Sequence, residues 1–462
     1  MTASLGVEAG FVGLQESVIM NAESVGRGRR VVIVGAGFSG LVSAYYLWRS
    51  GFKVTVLEKE SKAGGLIETL SHELGPVETA ANGLLNSLFV EELFATFDVQ
   101  PLLPNKISRR RFILRDGRPR RWPLGFRASL RFFLFLLSSL LFRPWVRPRS
   151  MESVADWGAR VMGREASKFT IEAALQGIYA GDSRRMSARL VFGRFFGVKN
   201  RISKDMEDHH PANDVTQGKH RRKKKFRGTI SVEGGMGALI RHLHEGLKKR
   251  GVEFKMGVEL TDLAGLNSET PVVLATSCAA AGKLLEKKGD SRAQDLLAIE
   301  LLPVVTATLF FKNPVEKGQG FGVLFPPEKG RLILGALMNS LVFSGKSQQG
   351  YSETWILGGA HSTQVNPALF DMSDSDIISI IEKEREKSLQ GRPHEILGSH
   401  LTRWRAALPH YTIELEKSLP KIDRVEDNVF LIGNYLGQIG LAKILERATV
   451  LPFEVAQKGF WS

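Results

Sequence analysis

The sequence predicts an α/β fold in which a Rossmann-like nucleotide-binding domain joins a mixed α+β domain and a helical membrane-facing domain. Three observations predict it: a glycine-rich turn between a β-branched strand and an apolar helix near residue 35, alternating β-rich sequence over residues 300–360, and an apolar segment flanked by arginines at residues 132–142. The chain has 462 residues, 43% hydrophobic and 24% charged, with 63 basic against 48 acidic side chains and a net charge of +15. Disorder and small disulfide scaffolds are excluded, and the length suits two or three domains of about 100–200 residues. Cys278 is the sole cysteine, so no intramolecular disulfide forms and a reducing, cytoplasmic compartment is expected. The positive balance favours anionic partners without choosing among nucleic acid, lipid and a small acid.

Residues 1–29 carry glutamates and glycines where a secretory signal needs a basic start and an unbroken apolar stretch. They read as a flexible extension, with Met20 as a second candidate start. Val31–Val34 is wholly apolar and β-branched, as a parallel strand buried on both faces requires. It runs into Gly35-Ala36-Gly37-Phe38-Ser39-Gly40 and a helical pattern of Leu41, Ala44, Tyr45, Leu47 and Trp48. Gly35 makes the tight turn, Gly37 admits a pyrophosphate to the backbone, and Gly40 lets helix pack on strand. The helix N-terminus meets the phosphates. A second strand, Lys53–Leu57, ends at Glu58, placed to accept hydrogen bonds from a ribose. Such a glycine triplet alone also occurs in ordinary loops; with both strands, the helix and the terminal acid it specifies a dinucleotide site.

The following loop, KESKAGGLIET over residues 59–69, holds the pair Gly64-Gly65 and resembles the flavin-dependent amine oxidase superfamily, in which this loop runs along FAD. An ordinary turn is the alternative. The resemblance implies a non-covalent FAD held by the glycine turn and Glu58 together with Lys59, Gly64, Gly65, Leu66, Gly75, Pro76, Val77, Glu78, Leu260, Asn434, Ile439, Gly440 and Leu441. Nothing besides Cys278, expected in a strand-to-helix turn, offers a covalent attachment point.

Further along, residues 108–127 are arginine-rich and lead into Phe132–Phe142, closed by Arg143, Arg147 and Arg149. These uncharged residues fall short of the roughly 20 that a helical span needs. A buried core helix is one reading; phenylalanines on more than one face between basic flanks fit better a monotopic segment in one leaflet, held by anionic headgroups. Residues 199–228 lose apolar periodicity and include His209-His210 and the basic run Lys219–Lys225, read as a solvated loop rather than a nucleic-acid site, since no aromatics interleave, with membrane-surface contact as the other alternative. Ser231–Gly237 then leads a helix to Lys249, a strand pair is expected around Phe254–Leu260, and Val272–Thr276 forms another strand. Val429–Asn434 is a strand entering a glycine turn, followed by a helix from about Ala442, whose N-terminus would face the flavin pyrimidine. The expected division is a flexible extension at 1–29; a discontinuous FAD-binding domain at 30–105, 226–295 and 419–462; a substrate domain at 106–116 and 296–418; a helical membrane-associated domain at 117–190; and a basic loop at 191–225.

Three segments narrow the resemblance: GIYAGDSRRMS at residues 177–187, GFGVLFP at 320–326 and RWRAALPHY at 403–411 are similar to the protoporphyrinogen oxidase family of haem biosynthesis, over about Val31 to Glu446. This implies oxidation of protoporphyrinogen IX, or of coproporphyrinogen III, to the porphyrin in three two-electron flavin cycles. Oxygen or a quinone would take the electrons, at the inner face of the cell membrane, and a homodimer is compatible. Arg111, before Phe112 in RRRFILRDG, matches the arginine set against a substrate propionate, which its planar fork suits. Phe321, Leu324, Leu337 and Ile356 match the apolar positions around the macrocycle, and Gly177 the glycine whose carbonyl neighbours the reacting carbon. A membrane-surface arginine and plain core residues are the alternatives at these positions. The chain departs from the family at Gly437-Gln438-Ile439-Gly440-Leu441, where a glycine pair is usual, and at Lys443, where an acid is usual. Amine or carotenoid oxidation, and a flavin- or tetrapyrrole-binding protein without turnover, are the rival functions.

Overall fold

The computed structural model describes residues 25–458, apart from 27, 142, 197–223, 267–268, 329, 362–366 and 438. Gln438, His209-His210, residues 219–223 of the basic run and nearly all of the expected N-terminal extension lie outside the described residues. The fold is mixed α/β, built on one parallel and one largely antiparallel sheet.

The parallel sheet has five strands in the order Glu253–Met256, Lys53–Glu58, Arg30–Val34, Val272–Leu274, Val429–Leu431. Its strands are apolar on both sides because helices cover both faces. Val31 and Ile33 pack with the helices Phe38–Arg49, Met236–Lys249 and Leu441–Ala448, whereas Val34, Val272 and Leu274 pack with Cys278, Ala281 and Leu285 of the helix Cys278–Lys288. Around Phe254–Leu260 the structure corrects the expected strand pair. Only Glu253–Met256 is a strand; Gly257, at φ +69°, turns the chain, and the Val258 N–H donates to the Glu58 carbonyl at 2.8 Å.

The second sheet has seven strands in the order Ile396–Pro409, Leu301–Phe311, Tyr351–Gly358, Ile333–Leu337, Gly322–Leu324, Phe112–Arg115, Arg118–Arg120. The hairpin Phe112–Arg115/Arg118–Arg120 carries this sheet beyond the expected boundary at residue 116, because Asp116 and Gly117 form its two-residue turn with φ of +53° and +69°. Directly opposed residues share a face. Val323, Ala336, Trp355 and Ala307 therefore point one way, into a core closed by Ile377 and Ile381 of the helix Asp374–Leu389. Leu324, Leu337, Ile356 and Thr306 point the other way and stay half-buried.

The helix Phe126–Leu141 begins well before the expected apolar segment. Ala128, Phe132 and Phe135 pack inward, near Trp157. Phe126, Leu130, Phe133, Leu134, Leu137 and Leu141, spaced three and four apart, form one outward face and are 52% to 86% exposed. Trp122 stacks on Phe133 with centroids 5.8 Å apart. Among the described residues no helix is long and apolar enough to cross a membrane.

A buried ion pair ties a two-stranded sheet, Thr69–Leu70 with Val77–Glu78, to the loop that precedes the strand Tyr351–Gly358. Lys346 Nζ, after the helix Asn339–Val342, lies 2.7 Å from Glu78 Oε1, both side chains at most 4% exposed. Glu78 also accepts the Met236 N–H at 3.2 Å, at the start of the helix Met236–Lys249, and the Thr69 hydroxyl at 2.7 Å. Removing one partner of a buried pair leaves an uncompensated charge, at a cost of about 3–5 kcal/mol. With the Met236 and Thr69 donors still in place, Lys346→Met should cost about 3 kcal/mol of unfolding free energy, at the low end of that range. Urea denaturation checks this; a loss under about 1 kcal/mol would show the pair to be dispensable.

Candidate functional site

The nucleotide end of the site is built from backbone. Gly35 sits at φ +103°, and a Cβ there would come within 2.8 Å of the Ala275 carbonyl oxygen. A Cβ on Gly40 would collide with the Gly35 carbonyl, so the helix beginning at Phe38 rests at backbone distance on the strand Arg30–Val34. Gly37 has nothing within 4 Å of its Cβ position and offers no side-chain cap to the helix. Its first N–H groups and the positive dipole end thus meet an open space suited to a pyrophosphate. Phe38 is buried beneath this turn, and the Ser39 carbonyl accepts the Ser43 hydroxyl. Glu58, at the end of the neighbouring strand, accepts the Ala36 N–H at 2.6 Å on Oε2 and the Glu60 N–H at 3.0 Å on Oε1.

The Gly64-Gly65 loop lies against that turn. Gly64 pairs with Gly37, its N–H donating to the Ala36 carbonyl at 3.0 Å, and a Cβ on Gly65 would stand 3.5 Å from Gly37 Cα. At φ +134° and +60° both positions favour glycine. Lys59 is exposed beside Glu60, Leu66 is 40% exposed with its carbonyl accepting the Thr79 hydroxyl, and Leu260, just after Val258, is half-buried. Gly75 packs against the backbone of Lys346 and Ser347, leading through Pro76 to the buried Val77 and Glu78. Asn434 and Ile439 are half-buried in the turn after Val429–Leu431, and the helix Leu441–Ala448 starts at the exposed Gly440, at φ +90°, without a side-chain cap. This helix packs on Phe38–Arg49. Lys443 pairs with Glu446 at 2.7 Å, which also holds Arg194.

The half-buried face of the second sheet forms the other wall. Gly177 lies in the last turn of the helix Ala173–Tyr179 and abuts the Leu324 side chain, where a Cβ would clash. Arg111 is exposed, with its guanidinium 4.7 Å from the centroid of the half-buried Phe321 ring. Phe112 pairs with Val323 toward the core, so Ile113, paired with Leu324, falls on the Leu324 face with Leu337 and Ile356. The structure thus groups Gly177, Leu324, Leu337 and Ile356 on one wall, with the Arg111–Phe321 contact just ahead of the strand Gly322–Leu324. Burial pushes the Tyr179 hydroxyl up to about 12, so it stays protonated at neutral pH. Cys278 is buried at the start of its helix, and burial pushes its thiol up to about 11, which leaves it unsuited to bonding a flavin.

Sequence reasoning missed the residues that join the walls. Thr306 and Trp404 both donate to the Thr79 carbonyl, at 3.4 and 2.9 Å. The Tyr411 hydroxyl donates to the Asn434 carbonyl. Trp404 and Tyr411 stand in the RWRAALPHY segment, the one signal available in advance. Lys346, within a polar turn, carried none.

A Rossmann-type turn over one sheet and a half-buried face on a second define a flavin-binding oxidoreductase of two-sheet construction. The chain belongs to the flavin containing amine oxidoreductase family, which matches residues 38–442, and it is an FAD-dependent oxidoreductase. It is 25% identical to the mitochondrial protoporphyrinogen oxidase of Nicotiana tabacum, covering 90% of this chain and 92% of that protein. It is 27% identical to protoporphyrinogen oxidase of Bos taurus, over 72% of this chain and 78% of the other. A solved structure of a redesigned putrescine oxidase shares the fold, with a TM-score of 0.70 at 13% identity, covering 93% of this chain and 99% of that one.

The turn makes a paired test. Gly37→Ala should fold with unchanged apoprotein melting temperature, because its Cβ meets no protein atom, yet weaken FAD binding roughly tenfold or more by narrowing the phosphate approach. Gly40→Ala should instead lower the melting temperature by several degrees, through separation of helix and strand. Differential scanning fluorimetry and FAD titration of the apoproteins separate the two; loss of FAD affinity confined to Gly40→Ala would contradict this account.

Proposed function

We propose that the chain oxidises protoporphyrinogen IX, or its tetracarboxylate relative coproporphyrinogen III, to the aromatic porphyrin. Six electrons leave in three two-electron rounds. The observation that carries this reading is Arg111 standing over Phe321 at the edge of a half-buried apolar face. A flat ring bearing carboxylates needs that combination, an apolar wall for the macrocycle and one planar cation for a propionate. The named relatives support the substrate class.

Bound FAD supplies a two-electron acceptor for hydride. The protein's own part is to place a flexible macrocycle and exclude competing reactions. Leu324, Leu337 and Ile356 wall the ring and shed water from it. The Gly177 carbonyl lies in the last helical turn, where carbonyls lack the usual i+4 donor, and its partial negative charge favours the cationic character that develops where hydride departs. Oxygen or a quinone then serves as the final acceptor. The three-part division of the chain, and seating of the Phe126–Leu141 face in one leaflet among anionic headgroups at the inner face of the cell membrane, belong to the same reading.

Purified, FAD-loaded protein should convert non-fluorescent porphyrinogen into fluorescent porphyrin, and the arginines should respond unequally. Arg111→Ala is expected to lower kcat/KM on the order of 30- to 1,000-fold, with much of the loss retained in Arg111→Lys. Arg109→Ala and Arg110→Ala should leave detergent-assay kinetics nearly intact. Equal, small effects at all three would remove the propionate assignment.

Vesicle binding tests the apolar face. Raised salt should weaken association with anionic vesicles only in part, because it screens headgroup attraction and leaves apolar burial at roughly 25 cal/mol per Å². Phe133→Glu with Leu137→Glu should abolish the salt-resistant fraction. Complete release of the unaltered protein by salt alone would reduce the interaction to surface charge.

A further inference from the structure

Two aromatic residues of one segment, Trp404 and Tyr411, hydrogen-bond from the side of the second sheet to the loops on the cofactor side. Trp404, in the edge strand Ile396–Pro409, donates from Nε1 to the Thr79 carbonyl at 2.9 Å, where the Thr306 hydroxyl also arrives. Thr79 directly follows the Gly75–Glu78 stretch. Just past the strand's end, the Tyr411 hydroxyl donates to the carbonyl of Asn434, which opens the turn leading to Ile439–Leu441. Tyr411 is 1% exposed and firmly held: its carbonyl accepts the Ser187 N–H at 2.8 Å, and its ring meets Tyr179 edge-on, centroids 5.2 Å apart, two residues beyond Gly177. The next residue, Thr412, caps the helix Ile413–Ile422.

We propose that Trp404 and Tyr411 are positioning residues for the flavin reaction, fixing the Thr79 and Asn434 loops relative to the face that carries Leu324, Leu337 and Ile356. This rests on the placement of the flavin between those loops. Each bond has an aromatic donor from one rigid segment and a backbone carbonyl as acceptor, so each sets the height of a loop rather than the charge of the site. The gap between loops and sheet face decides how closely a ring can approach the reacting atom, and a misplacement of about 1 Å can cost on the order of a hundredfold in rate. Neither residue need touch substrate.

The test uses Trp404→Phe and Tyr411→Phe in the full-length, FAD-reconstituted protein; Tyr411→Phe deletes one hydroxyl and keeps the packed ring. Both variants should fold, bind FAD about 3–10-fold more weakly, in line with one lost hydrogen bond, and shift the visible flavin spectrum. Their kcat for porphyrinogen should fall roughly tenfold with KM within about twofold. Tyr411→Phe decides the matter if Trp404→Phe does not fold. FAD affinity, spectrum and kcat all unchanged in Tyr411→Phe would overturn the proposal. Gly37→Ala and the unaltered protein keep the two ideas apart. If Gly37→Ala retains full FAD affinity, the flavin placement fails and the positioning role with it. If the unaltered protein binds FAD but ignores porphyrinogens, only the substrate reading fails, and the affinity and spectral shifts still decide the role of Trp404 and Tyr411.

Discussion

The close approach of Gly40 to the Gly35 carbonyl is the constraint on which the rest of the structure depends. It lets the helix Phe38–Arg49 lie on the strand Arg30–Val34 at backbone distance, which aims the helix N-terminus at the space above Gly37 and sets the line along which the Gly64-Gly65 loop can pack. Glu58 then secures the turn by accepting the Ala36 N–H. Among the described residues nothing lies within 4 Å of the Gly37 Cβ position, so backbone donors and the helix dipole face the space above it. From this fixed point the Glu68–Thr79 stretch reaches across to the second sheet, where Lys346 meets Glu78 and Trp404 meets Thr79.

The second sheet solves a different problem with the same material. Strand alternation sends Trp355, Val323 and Ala307 into a core against the helix Asp374–Leu389 and leaves Leu324, Leu337 and Ile356 half-covered. A face of leucine and isoleucine left partly open has an unmet tendency to bury apolar surface, and a large flat ligand satisfies it. Thr308 and Thr354 bond each other there, and Asn339 donates to Thr354. In the proposed function the wall selects by shape, and charge recognition is left to Arg111 beside Phe321.

Much of the nucleotide half was legible in the sequence because its demands are local. Gly35, Gly37, Gly40, Glu58 and the glycine pair each answer a backbone requirement within a few residues, and the structure brings them together as spacing alone suggests. The helix at Met236 and the β-rich region over residues 300–360 follow from periodicity. The strand pair at Phe254–Leu260 was misjudged because Gly257 turns the chain after Met256, and a single glycine in an alternating run does not announce which way it bends. The residues that join the sheets were hidden for a deeper reason. Lys346, Thr306 and Thr79 meet partners tens to hundreds of residues away, and a lysine in a polar turn looks like any surface lysine until its carboxylate is seen. The apolar segment was placed on a helix, but its inward Phe135 and outward Phe133 are separable only with the packing in view.

We propose that the face carrying Leu324, Leu337 and Ile356 presents a porphyrinogen to the flavin. Anaerobic rapid mixing of the oxidised holoprotein with protoporphyrinogen IX, followed by flavin absorbance, tests it without any external electron acceptor. The flavin should bleach in step with the first two-electron oxidation, at a rate that saturates with substrate. A flavin that stays oxidised with porphyrinogens, yet bleaches with a primary amine, would contradict it.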